Sequence, residues 1–378
     1  MRIVHLSSGY WPRIGGVETL LYRLIACQRA AGHEVSVWTE HPFDSMPLHE
    51  VHEGVSIHRI PFTNALRSGS PEQLRRAVGE VTRLKREQQP DLIHVHVFSA
   101  TPWVDFLTQA ASKAPTVMTL HTPLEHVGFP REILRRIIER GVRITAVSEA
   151  TRQNWEALGG RWTERTTVIG NGVPWPTELP APLPFAPPTL LSFGRLDPTK
   201  GFDVAIRAMA RLRADWPELS LTIAGDGAER QRLEKLRDEL GLQDVVRLCG
   251  WIEPNKIPEA LNRATAVLVP STWEEPFGLV AVEAAQMARP VIASAVGGLK
   301  GIVRDGVTGL LVPGGDEAAL AGAIERLLRN PREAEALGQA ARAHVREAYS
   351  MERCAAEYER VYADAIASTH TTLNYAQS

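Results

Sequence analysis

Seven of the fifteen residues from position 174 to 188 are proline, a composition that breaks helices and strands alike and cuts the 378-residue chain near its middle. Short apolar runs alternate with helix-length polar segments on both sides of the break. Before it the runs fall at residues 2–8, 34–39, 55–61, 90–98, 116–121 and 143–148. After it come L-L-S-F-G-R-L, L-T-I-A-G-D-G, V-V-R-L-C-G, A-V-L-V-P, P-V-I-A-S and G-L-L-V-P. This alternation predicts two α/β units with parallel sheets, residues 1–173 and 189–350, joined by a linker at 174–188. A last helix, from 351 to about 367, lies beyond the second repeat. Two such units place a cleft between their sheets, where the C-terminal strand ends bind ligands.

The net charge of −2 argues against nucleic acid as a bulk partner. Cys27, Cys249 and Cys354 stand far apart, so neither a disulfide framework nor a zinc site is expected, and a reducing compartment is. Cys27 and Cys249 lie in apolar patterns that predict buried thiols. No run reaches the eighteen or so apolar residues of a spanning helix, and the start reads as a strand rather than a signal peptide. A cytoplasmic protein is expected. Oligomeric state is not legible.

One stretch, residues 269–294, concentrates the chemistry: V-P-S-T-W-E-E-P-F-G-L-V-A-V-E-A-A-Q-M-A-R-P-V-I-A-S. It reads as a strand ending at Pro270, a loop with a Pro-Phe-Gly turn, and a helix from about Leu279 that stops before Pro290. The helix N-terminus then offers unpaired N–H groups and a positive dipole end to phosphate. Glu275 and Glu283, eight residues apart, flank that site as separate acceptors. A nucleoside-diphosphate sugar has hydroxyl groups on both sides of its phosphates and fits this arrangement.

Other loops fit the same ligand. Arg195 and Lys200 share one loop, the first able to bind phosphate oxygens as a fork and the second as a point charge. Gly15 and Gly16, before a helix with Val17, Leu20, Leu21, Leu24 and Ile25 on one face, let a diphosphate or sugar approach backbone closely. G-D-G-A-E-R half-matches the dinucleotide fingerprint, with Arg230 at the third glycine position. Gly225 and Gly227 are therefore expected to shape a loop beside the nucleotide. Trp251 and Ile252, just past a strand, offer an apolar wall to a nucleobase. His121 ends a strand and can hydrogen-bond a hexose hydroxyl or support charge at the reacting carbon. His94 and His96 share a strand face, and His96 is better placed to line the acceptor side of the cleft. With His121 they suggest a metal site only weakly, because no carboxylate or cysteine is spaced to complete it.

The stretch E-P-F-G-L-V-A-V-E, with the preceding P-S, resembles the E-x7-E motif of the retaining glycosyltransferases of family four, which have the two-domain GT-B fold. W-P-R-I-G-G-V-E resembles that family's N-terminal glycine loop, and G-R-L-D-P-T-K-G its diphosphate motif. A-V-S-E-A and I-G-N-G-V are similar to family segments as well. Two departures stand out: Ala288 occupies a usual glycine position, and Thr122 follows His121 where Asp or Gly is usual. The resemblance implies two Rossmann-like domains, an acceptor-binding first and a donor-binding second, with the last helix crossing back to the first. It implies His121, Arg195, Lys200 and Glu275 as catalytic residues. Donor contacts would come from Gly15, Gly16, Gly225, Gly227, Trp251, Ile252, Phe277, Gly278, Leu279 and Glu283. It further implies front-face transfer of a hexose to a hydroxyl acceptor without a metal or other cofactor, and the chain contains no D-x-D triplet. UDP-sugar is the first donor expected on family frequency and GDP-mannose the second.

Competing readings are a nucleotide-sugar epimerase or hydrolase on the same fold, and a non-catalytic nucleotide-sugar-binding protein. A glycosidase fits less well, because the carboxylates flank an anion-binding loop. R-E-I-L-R-R-I-I-E-R, from Arg131 to Arg140, sets Ile133, Leu134, Ile137 and Ile138 as a stripe among arginines. It suits either peripheral contact with an anionic membrane surface or packing on its own sheet.

Overall fold

The computed structural model describes residues 1–13, 15–41, 45–97, 101–128, 130–140, 143–160, 162 and 165–375, with the side chains of 140 and 370–375 left aside. Ile14 of the glycine loop and Phe98 of the fifth expected run lie outside the described residues. The chain divides into two compact units, residues 1–172 with 351–378, and residues 173–350.

Among the described residues the first unit has eight strands: β1 (Arg2–Ser7), β2 (Glu34–Thr39), β3 (His49–His52), β4 (Val55–Arg59), β5 (Leu92–Val97), β6 (Thr116–Leu120), β7 (Arg143–Ala146) and β8 (Thr166–Val168). They form one sheet in the order β3-β4-β2-β1-β5-β6-β7-β8. Its ladders are parallel except β3 against β4, a short edge hairpin that the sequence reading missed. Central parallel strands are covered on both faces and so read as continuous apolar runs. β5 and β6 are buried at every position. The polar residues His5, His94 and His96 inside these runs are therefore interior groups that need partners.

Helix Arg131–Arg140 spends its stripe on this unit. Leu134, Ile137 and Ile138 join the core with Val95, Met118 and Trp155, while Arg135 and Arg136 pair with Glu132 on the outer face. The stripe is thus not available to a lipid surface; Arg140's side chain lies outside the described part. The final helix, Met351–Tyr375, runs past the expected end near 367. Its Met351, Cys354, Tyr358, Val361, Tyr362 and Ala365 pack with Leu20, Leu21, Leu24 and Ile25 of helix Gly16–Ala30.

The second unit contains β9 (Thr189–Phe193), β10 (Ser220–Ala224), β11 (Val246–Gly250), β12 (Ala266–Val269), β13 (Val291–Ser294) and β14 (Gly309–Val312). They form a parallel sheet in the order β11-β10-β9-β12-β13-β14. β11 is an edge strand, which leaves Cys249 exposed instead of buried; Cys27 is half-buried. Residues 174–188, expected as a linker, run along this unit. Ala181 N–H donates to Asn262 Oδ1 at 2.8 Å, the Thr265 hydroxyl donates to the Pro184 carbonyl, and the buried Arg289 donates to the Ala181 carbonyl.

Candidate active site

In the second unit the strand order reverses between β9 and β12, and ligands of open α/β sheets bind in the crevice beyond the C-terminal strand ends at such a reversal. The loops after these two strands carry Arg195 with Lys200 and Glu275 with Gly278. They are stitched together, since Thr272 N–H donates to the Thr199 carbonyl at 2.9 Å. Asp197 caps the short turn Pro198–Lys200 by accepting from Thr199 N–H at 3.0 Å. This turn directs Lys200 at Glu275, whose two carboxylate oxygens lie 3.0 and 2.8 Å from Nζ. Glu275 also accepts from Ser271 Oγ at 3.1 Å and Trp273 Nε1 at 3.2 Å. Arg195, exposed, sits 3.3 Å from Asp197.

Helix Leu279–Gln286 starts at Gly278, φ 119°, with no side-chain cap; Ala281 N–H turns back to the Gly278 carbonyl at 3.0 Å, which leaves the N–H groups of Leu279 and Val280 as the ones suited to an anion. Glu283 is half-buried within that helix. Phe277 is buried with its ring edge-on to Tyr349 at 5.3 Å, which leaves only its backbone for a ligand. Trp251 is exposed and Ile252 half-buried directly after β11. Gly225 and Gly227 have a structural reason to be glycine. A Cβ on the first would lie 1.8 Å from the Gly194 carbonyl oxygen, and one on the second 2.3 Å from that of Leu196. The β10 loop is thereby pressed onto the loop that carries Arg195.

Gly297 and Gly298 escaped the sequence reading. Gly297, φ 49°, lies against the Glu275 backbone, where a Cβ would meet the carbonyl oxygen at 2.1 Å. Gly298 N–H donates to the Glu275 carbonyl at 2.6 Å, and Gly297 N–H to Glu274 Oε2 at 2.8 Å. A-V-G-G-L after a strand was the available signal.

In the first unit the reversal falls between β1 and β5. Gly15 and Gly16 follow β1, with Gly15 extended at φ −171° and the helix start uncapped by a side chain. The Glu18 carboxylate packs against Gly9 and Gly15, and Arg13 lies 3.4 Å from it.

His121 follows β6 and is 4% exposed. Burial lowers its pKa to about 3, so it acts as a neutral imidazole. His96, expected to line the acceptor side, is fully buried instead. It lies on the same face of the sheet as His5 and His94, and both its ring nitrogens are engaged, Nε2 with His5 at 3.0 Å and Nδ1 with His121 at 2.8 Å. It reaches a ligand only through His121. His5, which the sequence reading passed over, pairs in register with His94. His5, His94 and His96 bring one nitrogen each within 4.8 Å of one another. All six of their ring nitrogens have protein partners, so a cation there would have to displace a complete hydrogen-bond set.

The profile described as Glycosyl transferases group 1 matches residues 180–344, and that of Glycosyltransferase Family 4 matches residues 14–174. Glycogen synthase of Mycobacterium tuberculosis is 30% identical over 96% of this chain and 94% of its own length. Phosphatidyl-myo-inositol mannosyltransferase of Mycobacterium leprae is 32% identical over 87% of this chain and 88% of its own. Among solved structures, Anabaena HepE in complex with UDP and glucose superposes with a TM-score of 0.78 at 23% identity, covering 96% of this chain and 99% of that one.

Proposed function

The chain belongs to the group 1, family 4 glycosyltransferases with the GT-B fold, and on that premise we propose that it moves a hexose from a nucleoside-diphosphate sugar to a hydroxyl acceptor with retention and without a metal. The observation that supports this reading is the second unit's crevice, where Lys200 pairs with Glu275 across two tied loops and the helix that carries Glu283 starts uncapped at Gly278.

In the proposed reaction the bond from the sugar's anomeric carbon to the diphosphate oxygen breaks, and its electron pair stays with the diphosphate. Arg195, Lys200 and the N–H groups at the helix start stabilise that growing charge. The acceptor oxygen forms its bond to the same face of the anomeric carbon, and its proton passes to the departing phosphate oxygen. No separate base is needed. Glu275 and Glu283 accept from donor hydroxyls, and His121 hydrogen-bonds a hydroxyl as a neutral imidazole.

UDP is the first nucleotide to test, being the one in the HepE complex, and a mannosyl donor is the second, after the Mycobacterium leprae relative. The relatives' names suggest glycogen and phosphatidyl-myo-inositol as the first two acceptor classes. A thermal-shift screen against UDP, GDP, ADP, TDP and NAD in EDTA tests the donor site. One nucleoside diphosphate at a hundredfold excess over its Kd should stabilise the wild type by about 2.7 kcal/mol. Glu283→Ala and Arg195→Ala should lose that shift. A response to NAD alone, or variants that respond like wild type, would sink the reading. Retention is read from the anomeric configuration of the product.

A further inference from the structure

We infer that a buried string of side chains, Gln28, His5, His96 and His121, fixes the tautomer of His121 so that it offers substrate the bare Nδ1 lone pair and therefore receives a hydroxyl, not an anionic oxygen. The inference rests on the transferase reading and names the chemistry of the group that meets the first unit.

The proton count follows from the contacts. Gln28 is placed with Oε1 toward His5 Nε2, at 2.8 Å, and Nε2 toward the Tyr362 hydroxyl, and with the amide in this orientation His5 Nε2 carries the proton. A neutral imidazole has one N–H, which makes His5 Nδ1 an acceptor. Its partner at 3.0 Å, His96 Nε2, must then donate. That leaves His96 Nδ1 as the acceptor for His121 Nε2–H at 2.8 Å. His121 Nδ1 is bare, and among the described residues no partner is recorded for it. The same sense continues on the other side of Gln28. Its Nε2 donates to the Tyr362 hydroxyl at 3.1 Å, and Tyr362 donates to His94 Nδ1 at 2.7 Å. His94 Nε2 then donates to Thr119 Oγ1 at 2.6 Å, and Thr119 to Thr145 Oγ1 at 2.6 Å. Seven hydrogen bonds thus run in one direction away from His121, an arrangement in which each bond polarises the next.

Burial keeps the four rings neutral, and a second proton on any of them would break the string. Gln28, His5 and His96 are positioning residues, since they act through His121. The amide of Gln28 is the member of the string whose donor and acceptor are different atoms that no proton shift can exchange. Gln28→Leu removes the acceptor and would strand a buried N–H on His5. The relief is reversal: His5 Nδ1–H donates to His96, His96 Nδ1–H donates to His121, and His121 then carries its proton on Nδ1.

The test is two-bond 1H–15N NMR of the full, ligand-free chain with 15N-labelled histidine. In the wild type His121 should show a protonated Nε2 and a pyridine-like Nδ1. Gln28→Leu should move the proton to Nδ1, lower kcat/KM on the order of a hundredfold, and leave the UDP thermal shift unchanged. A wild-type His121 protonated at Nδ1 overturns the inference even if Gln28→Leu does not fold. So does an unreversed tautomer in a folded Gln28→Leu, or a reversed tautomer with full activity. The spectra need no substrate, so failure of the transferase reading leaves the tautomer result readable by itself.

Discussion

Glu275 holds Lys200, Ser271 and Trp273 at once, so its carboxylate is fixed before any sugar arrives. Lys200, half-exposed, keeps donor protons in reserve and can turn part of its charge to a phosphate without leaving the carboxylate. Its removal frees Glu275 to swing and, on the proposed reaction, deletes one preorganised donor for the leaving group. Lys200→Ala should therefore lower kcat/KM by about two to three decades, roughly 3 kcal/mol, in a steady-state assay that varies the donor. An unchanged kcat/KM would remove Lys200 from the reaction. Ala288 makes the opposite case, a residue that carries strain with no ligand contact. It sits at φ 52° just past helix Leu279–Gln286, where the family usually has glycine. A left-handed conformation costs a residue with a Cβ roughly 1–2 kcal/mol, and the lost buried methyl offsets part of that. Ala288→Gly should stabilise by about 0.5–1 kcal/mol, read as a higher denaturant midpoint with unchanged slope.

The loop that carries Glu275 is stiff as an element because another element braces it. Gly297 and Gly298 lie against residues 275–277, and a side chain at Gly297 meets the Glu275 backbone, which cannot move aside without carrying its carboxylate along. Gly297→Ala combines a positive φ with that contact and should destabilise by about 2–3 kcal/mol. It should also weaken nucleotide binding in calorimetric titration. A folded Gly297→Ala with wild-type binding would show that the brace does not set the site. The turn itself was legible from sequence, since E-P-F-G carries its own signals: proline and glycine fix the backbone, and the apolar periodicity of L-V-A-V-E starts immediately after. The imidazole string was not legible. His5 and His96 meet only because β1 lies beside β5, and His96 meets His121 because β5 lies beside β6. That order is a tertiary fact with no local signature. His96 was misjudged for the same reason, because two-residue spacing gives a face but not what covers it.

At the scale of the molecule the two units differ in how they answer acid. His5, His58, His94, His96 and His121 of the first unit all have pKa values pushed below 6.5, chiefly by burial. The second unit has a single histidine, His344, which burial also lowers. A histidine with a depressed folded pKa binds its proton in the unfolded chain first. Between the unfolded value of 6.5 and the folded values, about 4 for His5 and His58 and about 3 for His121, the unfolded state holds more protons. The stability from these groups is therefore complete above pH 6.5 and is lost as pH falls toward 4. Each such group adds a slope of up to about 1.4 kcal/mol per pH unit in that window. All five shifts act in the same direction, so acid destabilises the first unit as the pH falls below 6.5. The first unit should consequently unfold at a higher pH than the second. Hydrogen exchange, corrected for the intrinsic pH dependence of amide rates, would show protection lost in β1, β5, β6 and helix Met351–Tyr375 but kept in β9 to β14. Loss in both units at the same pH would mean that carboxylates, not the buried imidazoles, govern acid unfolding. His5→Asn tests the cause, since it should shift the first unit's midpoint to lower pH if the depressed imidazoles drive it.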